Sequence, residues 1–488
     1  MLSGKIEKFW LYVFYSFSAC LLATLIAGIY LENYYLLLIP ASLLFVYLSV
    51  NDMKFIYFLL LFTIPLSIEV QLPNGFATDF PTEILIGGMM ILFIAFALSN
   101  PKAFDIRLLK NPIIFLLIIH YVWILIATFY SSDAFVSIKY SLAKTWYIIT
   151  FVFVTSIMIK SVDDFKKAFW WLLLPLIFTI IYTMIRHSKT DFAFLTVNTP
   201  MLPFFRNHVS YACTIAQMIP FTFLAITWYK KGTLKRRFLI FSMLLMLVAV
   251  YFSYTRSAWL ALLSAVFVII VIRLRMMKWA LALAIAGSIG FFVYMGYNNQ
   301  YLEHAPDFQT TVYHPELGEH LASTFEGKDI SSAERIYRWV AGVRMWYDKP
   351  WTGYGPGNFY NFYKSYTVNS FTTYVSDNPE RSSIHNYFLL VLTEQGIIGL
   401  LIFLALTICI FVNGQRIYHQ TISKKEKYYV LAILLCLVII YVNTFLSDLL
   451  ETDKIGSFYF ICIALLLNQD IRNRDALRNK SLVADSMV

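Results

Sequence analysis

Apolar runs of roughly 20 residues recur from one end of this chain to the other, each long enough to cross a hydrocarbon core of about 30 Å. No water reaches the peptide groups of such a run inside lipid. It must therefore be a helix that closes its own hydrogen bonds, or a strand in a closed barrel. The runs are continuously apolar rather than alternating, which excludes a transmembrane barrel. The expected fold is an all-α polytopic membrane protein. About fourteen spans are expected, over 9–30, 33–50, 55–71, 83–99, 111–130, 139–160, 167–186, 208–229, 238–253, 257–272, 279–296, 385–412, 428–446 and 455–468. Only 14% of the residues are charged, against about a quarter in a soluble protein. The first run is too long for the apolar stretch of a signal peptide and is expected to stay as a span.

A net charge of +10 invites a nucleic-acid reading, but its distribution argues against one. Alternate connections are basic: Lys102, Arg107 and Lys110; Lys160, Lys166 and Lys167; Lys230, Lys231, Lys235, Arg236 and Arg237; Arg273, Arg275 and Lys278; Arg416, Lys424, Lys425 and Lys427. The intervening short loops, 72–82 and 131–138, have no Lys or Arg. By the positive-inside rule these residues are topology signals, and both termini are expected in the cytoplasm. The five cysteines all fall in expected spans, so no disulfide framework is predicted.

The long connection 297–384 then lies outside. This divides the chain into N-terminal transmembrane helices (1–296), an outer loop domain (297–384), C-terminal transmembrane helices (385–470) and a cytoplasmic tail (471–488). The loop is rich in aromatics, which argues for folding rather than disorder. Residues 331–347 carry Ile336, Trp339, Val340 and Val343 at helical spacing, with Ser331 and Glu334 placed as a capping box. Pro350, Gly353, Gly355, Pro356 and Gly357 predict a tight turn, and the aromatics of 359–366 a second element. His304, His314 and His320 lie in the same loop with Glu316 and Glu319, but their spacing matches no strong zinc pattern.

Topology also selects candidate functional residues. Arg206 precedes the span at 208–229, Arg256 sits in the short turn Ser253–Ser257, and His385 opens the span at 385–412, all on the outer face. Arginines at helix ends often snorkel to lipid phosphate. Two level with a histidine, beside a folded loop, point instead to an anion site. Lys139 and Lys144 begin another span from the outside, and a lysine more than a turn into lipid needs a partner or a polar cavity. Glu394 is placed about 180° round a continuous helix from His385 and is expected to be structural. Gly396 and Gly399 fall near the histidine's side and are predicted to give that helix a smooth packing seam. The chain lacks a phosphate-binding glycine loop, and no acidic pair of the D-x-D type is recognised on the outer face.

His385-Asn386, nine residues, then Gly396-x-x-Gly399 resembles the signature of the O-antigen ligase and polymerase superfamily of bacterial envelope enzymes. Asp348-Lys349-Pro350, the run Gly353-x-Gly355-Pro356-Gly357-Asn358-Phe359, and Glu334-Arg335 ahead of Trp339 are similar to that family's outer loop. Arg206-Asn207-His208 and Thr255-Arg256-Ser257 resemble its two outer-face arginine sites. The likeness is specific from about 200 to 412, and the earlier spans match only as generic membrane helices.

The resemblance implies a GT-C-like glycosyltransferase in the bacterial inner membrane, with its site facing the periplasm. Its donor would be a glycan on undecaprenyl diphosphate and its acceptor lipid A–core. Arg206 and Arg256 would stabilise the leaving diphosphate without a metal or other cofactor, and His385 would orient and deprotonate the acceptor hydroxyl, with inversion at the anomeric carbon. Lys139, Lys144, Asn386, Tyr211 and Arg381 complete the expected substrate-binding set. An O-antigen polymerase or a protein O-oligosaccharyltransferase shares much of the motif. A lipid-linked oligosaccharide flippase would instead place charges at several depths of a central cavity.

Overall fold

The computed structural model describes residues 2–71, 77–100, 105–304, 330–367 and 383–485, nearly all of them helical. Among them, eleven helices are long and apolar enough to cross a membrane, so the chain is a multi-pass membrane protein. In chain order the elements are α1 (Leu2–Tyr30), α2 (Leu38–Asn51), α3 (Met53–Thr63), the strands β1 (Ile68–Gln71) and β2 (Ala77–Phe80), then α4 (Thr82–Ser99) and α5 (Pro112–Phe129). There follow α6 (Ala134–Met158), α7 (Val162–Ser188), α8 (His208–Ile226), α9 (Leu234–Phe252), α10 (Arg256–Arg273) and α11 (Met277–Gly296). The outer loop contributes α12 (Ile330–Asp348), and α13 (Tyr387–Gln420), α14 (Lys424–Leu446) and α15 (Asp453–Asp485) complete the chain.

The spans expected beyond those eleven are also helical. α9 is 19 residues long but opens on Lys235, Arg236 and Arg237, and Tyr35–Leu44 and Met53–Leu66 are shorter apolar segments. The span expected over 55–71 ends early. Helix gives way after Leu66 to Ile68-Glu69-Val70-Gln71, whose apolar–polar alternation suits a strand better than a membrane helix. β1 pairs antiparallel with β2, Glu69 opposite Asp79, so the connection expected as a simple outer loop is a hairpin.

α14 is the central strut, packing against α8, α10, α13 and α15. At the basic end of the bundle the buried Asp470 carboxylate of α15 accepts from Asn111 (3.1 Å), Arg416 (3.3 Å) and Arg474 (2.7 Å). It thereby ties α15 to α5 and α13. At the opposite end α12 forms where the sequence predicts it, and Trp339 packs edge-on against Phe291 and Phe292 of α11. The Ser331 and Glu334 side chains lie outside the described residues, as does the segment carrying His314, His320, Glu316 and Glu319.

The expected smooth seam on α13 is not there. Gly396 has φ 68° and ψ −173°, which breaks the helix. The turn after α12 plugs the break: Tyr354 N–H donates to Thr393 O (3.0 Å), Gly355 N–H to Glu394 O (2.9 Å), and Ile397 N–H to Pro350 O (2.9 Å). The interrupted helix loses its own hydrogen-bond partners, and the glycine-rich turn replaces them. A Cβ on Gly396 would stand 2.1 Å from Trp351 O, and one on Gly353 would stand 2.4 Å from the Glu394 carbonyl carbon. Glu394 is structural, as expected, but through this turn: its carboxylate accepts from Gly357 N–H (2.8 Å) and Phe359 N–H (2.9 Å).

Candidate active site at the outer face

His385 sits directly ahead of α13 in the left-handed backbone region, φ 57°, a conformation that costs a non-glycine residue free energy and collects at functional sites. Both flanks hold it there. Arg338, buried in α12, donates to Ser383 O (2.8 Å), and Asn386 caps α13 by accepting from Leu389 N–H (3.1 Å). The imidazole Nδ1 lies 3.9 Å from Asp448 Oδ1, in the turn between α14 and α15. Burial, with the Arg338 and Arg335 guanidiniums nearby, pushes the His385 pKa down to about 3, so the ring is neutral. Burial also raises the Asp448 carboxyl above its usual range.

Arg206 lies just before α8 with its side chain 69% exposed, and the Glu69 carboxylate of β1 grips it in two bonds of 2.5 and 2.6 Å. The Glu69 carboxylate holds the Arg206 pKa above its ordinary value, and Asp448 adds only a minor contribution. Arg256 opens α10, and its turn is tied to the start of α8 by Thr255 Oγ1 donating to His208 O (3.2 Å). The starts of α8, α10, α13 and α15 and the end of α14 thus share the outer end of the bundle. The N-termini of α8, α10, α13 and α15 add positive potential there, and the C-terminus of α14 opposes it.

Lys144 is buried, and its ammonium contacts both Glu451 oxygens at 2.9 Å. Tyr140 (2.8 Å) and Tyr387 (2.6 Å) donate to the same carboxylate. Against the effect of burial, the Lys144 charge and these bonds hold Glu451 below the usual carboxylate range. A cavity of about 20 Å³ beside this network, lined by His120, Tyr121, Lys144 and Tyr387 among others, has room for about one water. Lys139 is exposed on α6. Tyr211 is buried in α8 against Phe205, at 5.1 Å between rings. Arg381 lies outside the described residues.

The acids are what the sequence reading missed. Asp448 and Glu451 lie in the turn between α14 and α15, Asp453 opens α15, and Glu451-Thr452-Asp453 is an acidic pair separated by one residue. Their carboxylates take different partners: Glu451 takes Lys144, and Asp453 accepts from the Tyr147 hydroxyl. Among the described residues no three His, Cys, Asp or Glu side chains converge as metal ligands would. Three acids within the six residues 448–453 were the available signal.

Fold and site together define a polytopic membrane protein that concentrates arginine, histidine and carboxylate at one end of its bundle, beneath a folded loop. Residues 241–404, about a third of the chain, match the model of the family described as O-antigen ligase. The match supports a membrane enzyme like the O-antigen ligases and polymerases, similar to a glycosyltransferase. It takes in Arg256, α12, the glycine-rich turn, His385 and the Gly396 break, and leaves out Arg206, Glu69, Lys144 and Asp448. No curated protein matches the chain.

Proposed function

We infer that the protein is an O-antigen ligase, moving a glycan from undecaprenyl diphosphate to lipid A–core at the periplasmic face of the inner membrane. The observation that carries this reading is the strained His385 ahead of α13, with Asp448 3.9 Å from its Nδ1 and Arg256 opening α10 in a turn tied to the start of α8, which Arg206 precedes. In the reaction the acceptor hydroxyl oxygen bonds to the anomeric carbon. The bond from that carbon to phosphate breaks, and the diphosphate leaves with its electron pair. Charge therefore grows on the phosphate oxygens, where the Arg206 and Arg256 guanidiniums hydrogen-bond them most strongly. Direct attack inverts the anomeric centre.

His385 accepts a hydrogen bond from the attacking hydroxyl through the ring nitrogen turned away from Asp448. An imidazole whose pKa lies near 3 is a weak base. It orients the hydroxyl first and takes the proton only as the new bond forms and the hydroxyl becomes acidic. At 3.9 Å the Asp448 contact is longer than a hydrogen bond, and it tightens when the acceptor displaces water. Lys144, held by Glu451, supports the first turn of α13 through Tyr387.

Purified protein, a polyprenyl-diphosphate-linked glycan and three acceptors test this reading. Glycan on lipid A–core is the expected product. Extension of the lipid-linked chain would make the protein a polymerase, and glycan on a Ser or Thr peptide a protein O-oligosaccharyltransferase. A flippase would make no product in solution, and in cells its Arg256→Lys variant would retain lipid-linked glycan inside, where a failed ligase accumulates it outside.

A further inference from the structure

A guanidinium has two edges that can each hold an oxyanion in a bidentate pair, one formed by Nε and Nη2 and the other by Nη1 and Nη2. Glu69 occupies the first edge of Arg206 completely, through Nε (2.5 Å) and Nη2 (2.6 Å). The outward edge belongs to a side chain that is 69% exposed, whereas Glu69 is only 26% exposed. Glu69 is itself firmly mounted. Lys454, in the first turn of α15, donates to Ile64 O (3.0 Å), Ser67 O (2.8 Å) and Ser67 Oγ (2.5 Å), clamping the chain just ahead of β1. Across the hairpin Glu69 faces Asp79, and like charges directly opposite each other weaken a strand pair. The hairpin gains nothing from that arrangement by itself. Arg206 answers the Glu69 charge directly, whereas burial raises the Asp79 carboxyl above its usual range despite the nearby Lys454.

We propose that Glu69 is a positioning residue, a splint on the β1–β2 hairpin that fixes Arg206 with its outward edge presented to a polyprenyl diphosphate. The inference rests on the reading of Arg206 as a diphosphate ligand and adds to it an element of the N-terminal half, outside the stretch that matches the family. It predicts the opposite sign from electrostatics alone. Removing a carboxylate beside an anion site raises the local positive potential, so simple charge counting expects tighter binding in its absence. A splint expects weaker binding, because a loosened arginine must be ordered again each time the ligand arrives.

The test is binding of farnesyl diphosphate, a polyprenyl diphosphate without sugar, to the purified full-length protein in detergent. Wild type is compared with Glu69→Ala, Glu69→Asp and Arg206→Ala, with thermal unfolding followed in parallel. Glu69→Ala is expected to weaken binding about tenfold, the scale of one charge-assisted hydrogen bond, with Tm close to wild type. Glu69→Asp keeps the charge on a shorter arm and should fall between. Unchanged or tighter binding in Glu69→Ala, with Arg206→Ala impaired, would overturn the splint and leave the Arg206 reading standing. Equal binding by wild type and Arg206→Ala, or none by wild type, would remove that reading and the splint with it. If Glu69→Ala lowers Tm, Glu69→Asp decides: wild-type affinity in that variant would also overturn the splint.

Discussion

His385 combines a left-handed backbone, a neutral ring and a carboxylate on its Nδ1 side, and each property has a measurable consequence. Replacing it with alanine should lower transfer about 100-fold or more while the protein still inserts and expresses normally, as expected for loss of a group that handles the acceptor proton. Full transfer by that variant would remove His385 from the chemistry. The ring's titration gives a second test. Its folded pKa is depressed to about 3 from an ordinary 6.5, so between these values the unfolded chain binds a proton that the folded protein does not. The stabilising contribution is therefore present above about pH 6.5 and is lost as pH falls toward 3. Activity should show no acid limb near pH 6.5 arising from His385, and a limb there that vanished in His385→Gln would contradict the burial. Lys144 and Glu451 differ in kind. Removing one partner of this buried pair, as in Lys144→Met, should cost about 3–5 kcal/mol, read as a large fall in Tm, because it strands the other charge. His385 and both arginines were singled out in the sequence because the expected topology leaves few basic residues in the short outer connections. Their carboxylate partners were not. Glu69 meets Arg206 across 137 residues, and no local periodicity records such a pairing.

At the level of elements, the membrane helices were readable because each apolar run must satisfy its backbone internally, which leaves helix as its only conformation. The two departures occur where tertiary contacts override that rule. Residues 68–71 and 77–80 pair as strands instead, so the half-buried acid of β1 can meet Arg206. Gly396 suggested a packing seam, since glycine in a membrane helix usually permits close helix approach. Its actual role is a backbone break that only the docked turn at 350–357 makes affordable, and that docking depends on residues more than a full helix away in sequence. Gly396→Ala therefore faces both a left-handed backbone and a Cβ driven onto Trp351 O. It should destabilise the protein by about 3 kcal/mol or more and abolish transfer through displacement of the loop under which His385 sits. A variant with wild-type Tm and activity would show that the break is not required.

For the whole molecule, two ends of one bundle differ: one is locked by Asp470 and its arginines, and at the other five helix termini, the hairpin and α12 meet. If the two guanidiniums carry the leaving diphosphate as proposed, transfer should persist in excess EDTA, and strict dependence on magnesium or manganese would overturn the arginine account. The central claim is that Arg206 and Arg256 together hold the diphosphate beside His385. A structure of the protein bound to undecaprenyl diphosphate tests it most directly. The expected result is a diphosphate within about 3 Å of both guanidiniums, with the His385 ring facing the position of the first sugar. A diphosphate bound elsewhere on the bundle, touching neither arginine, would contradict it.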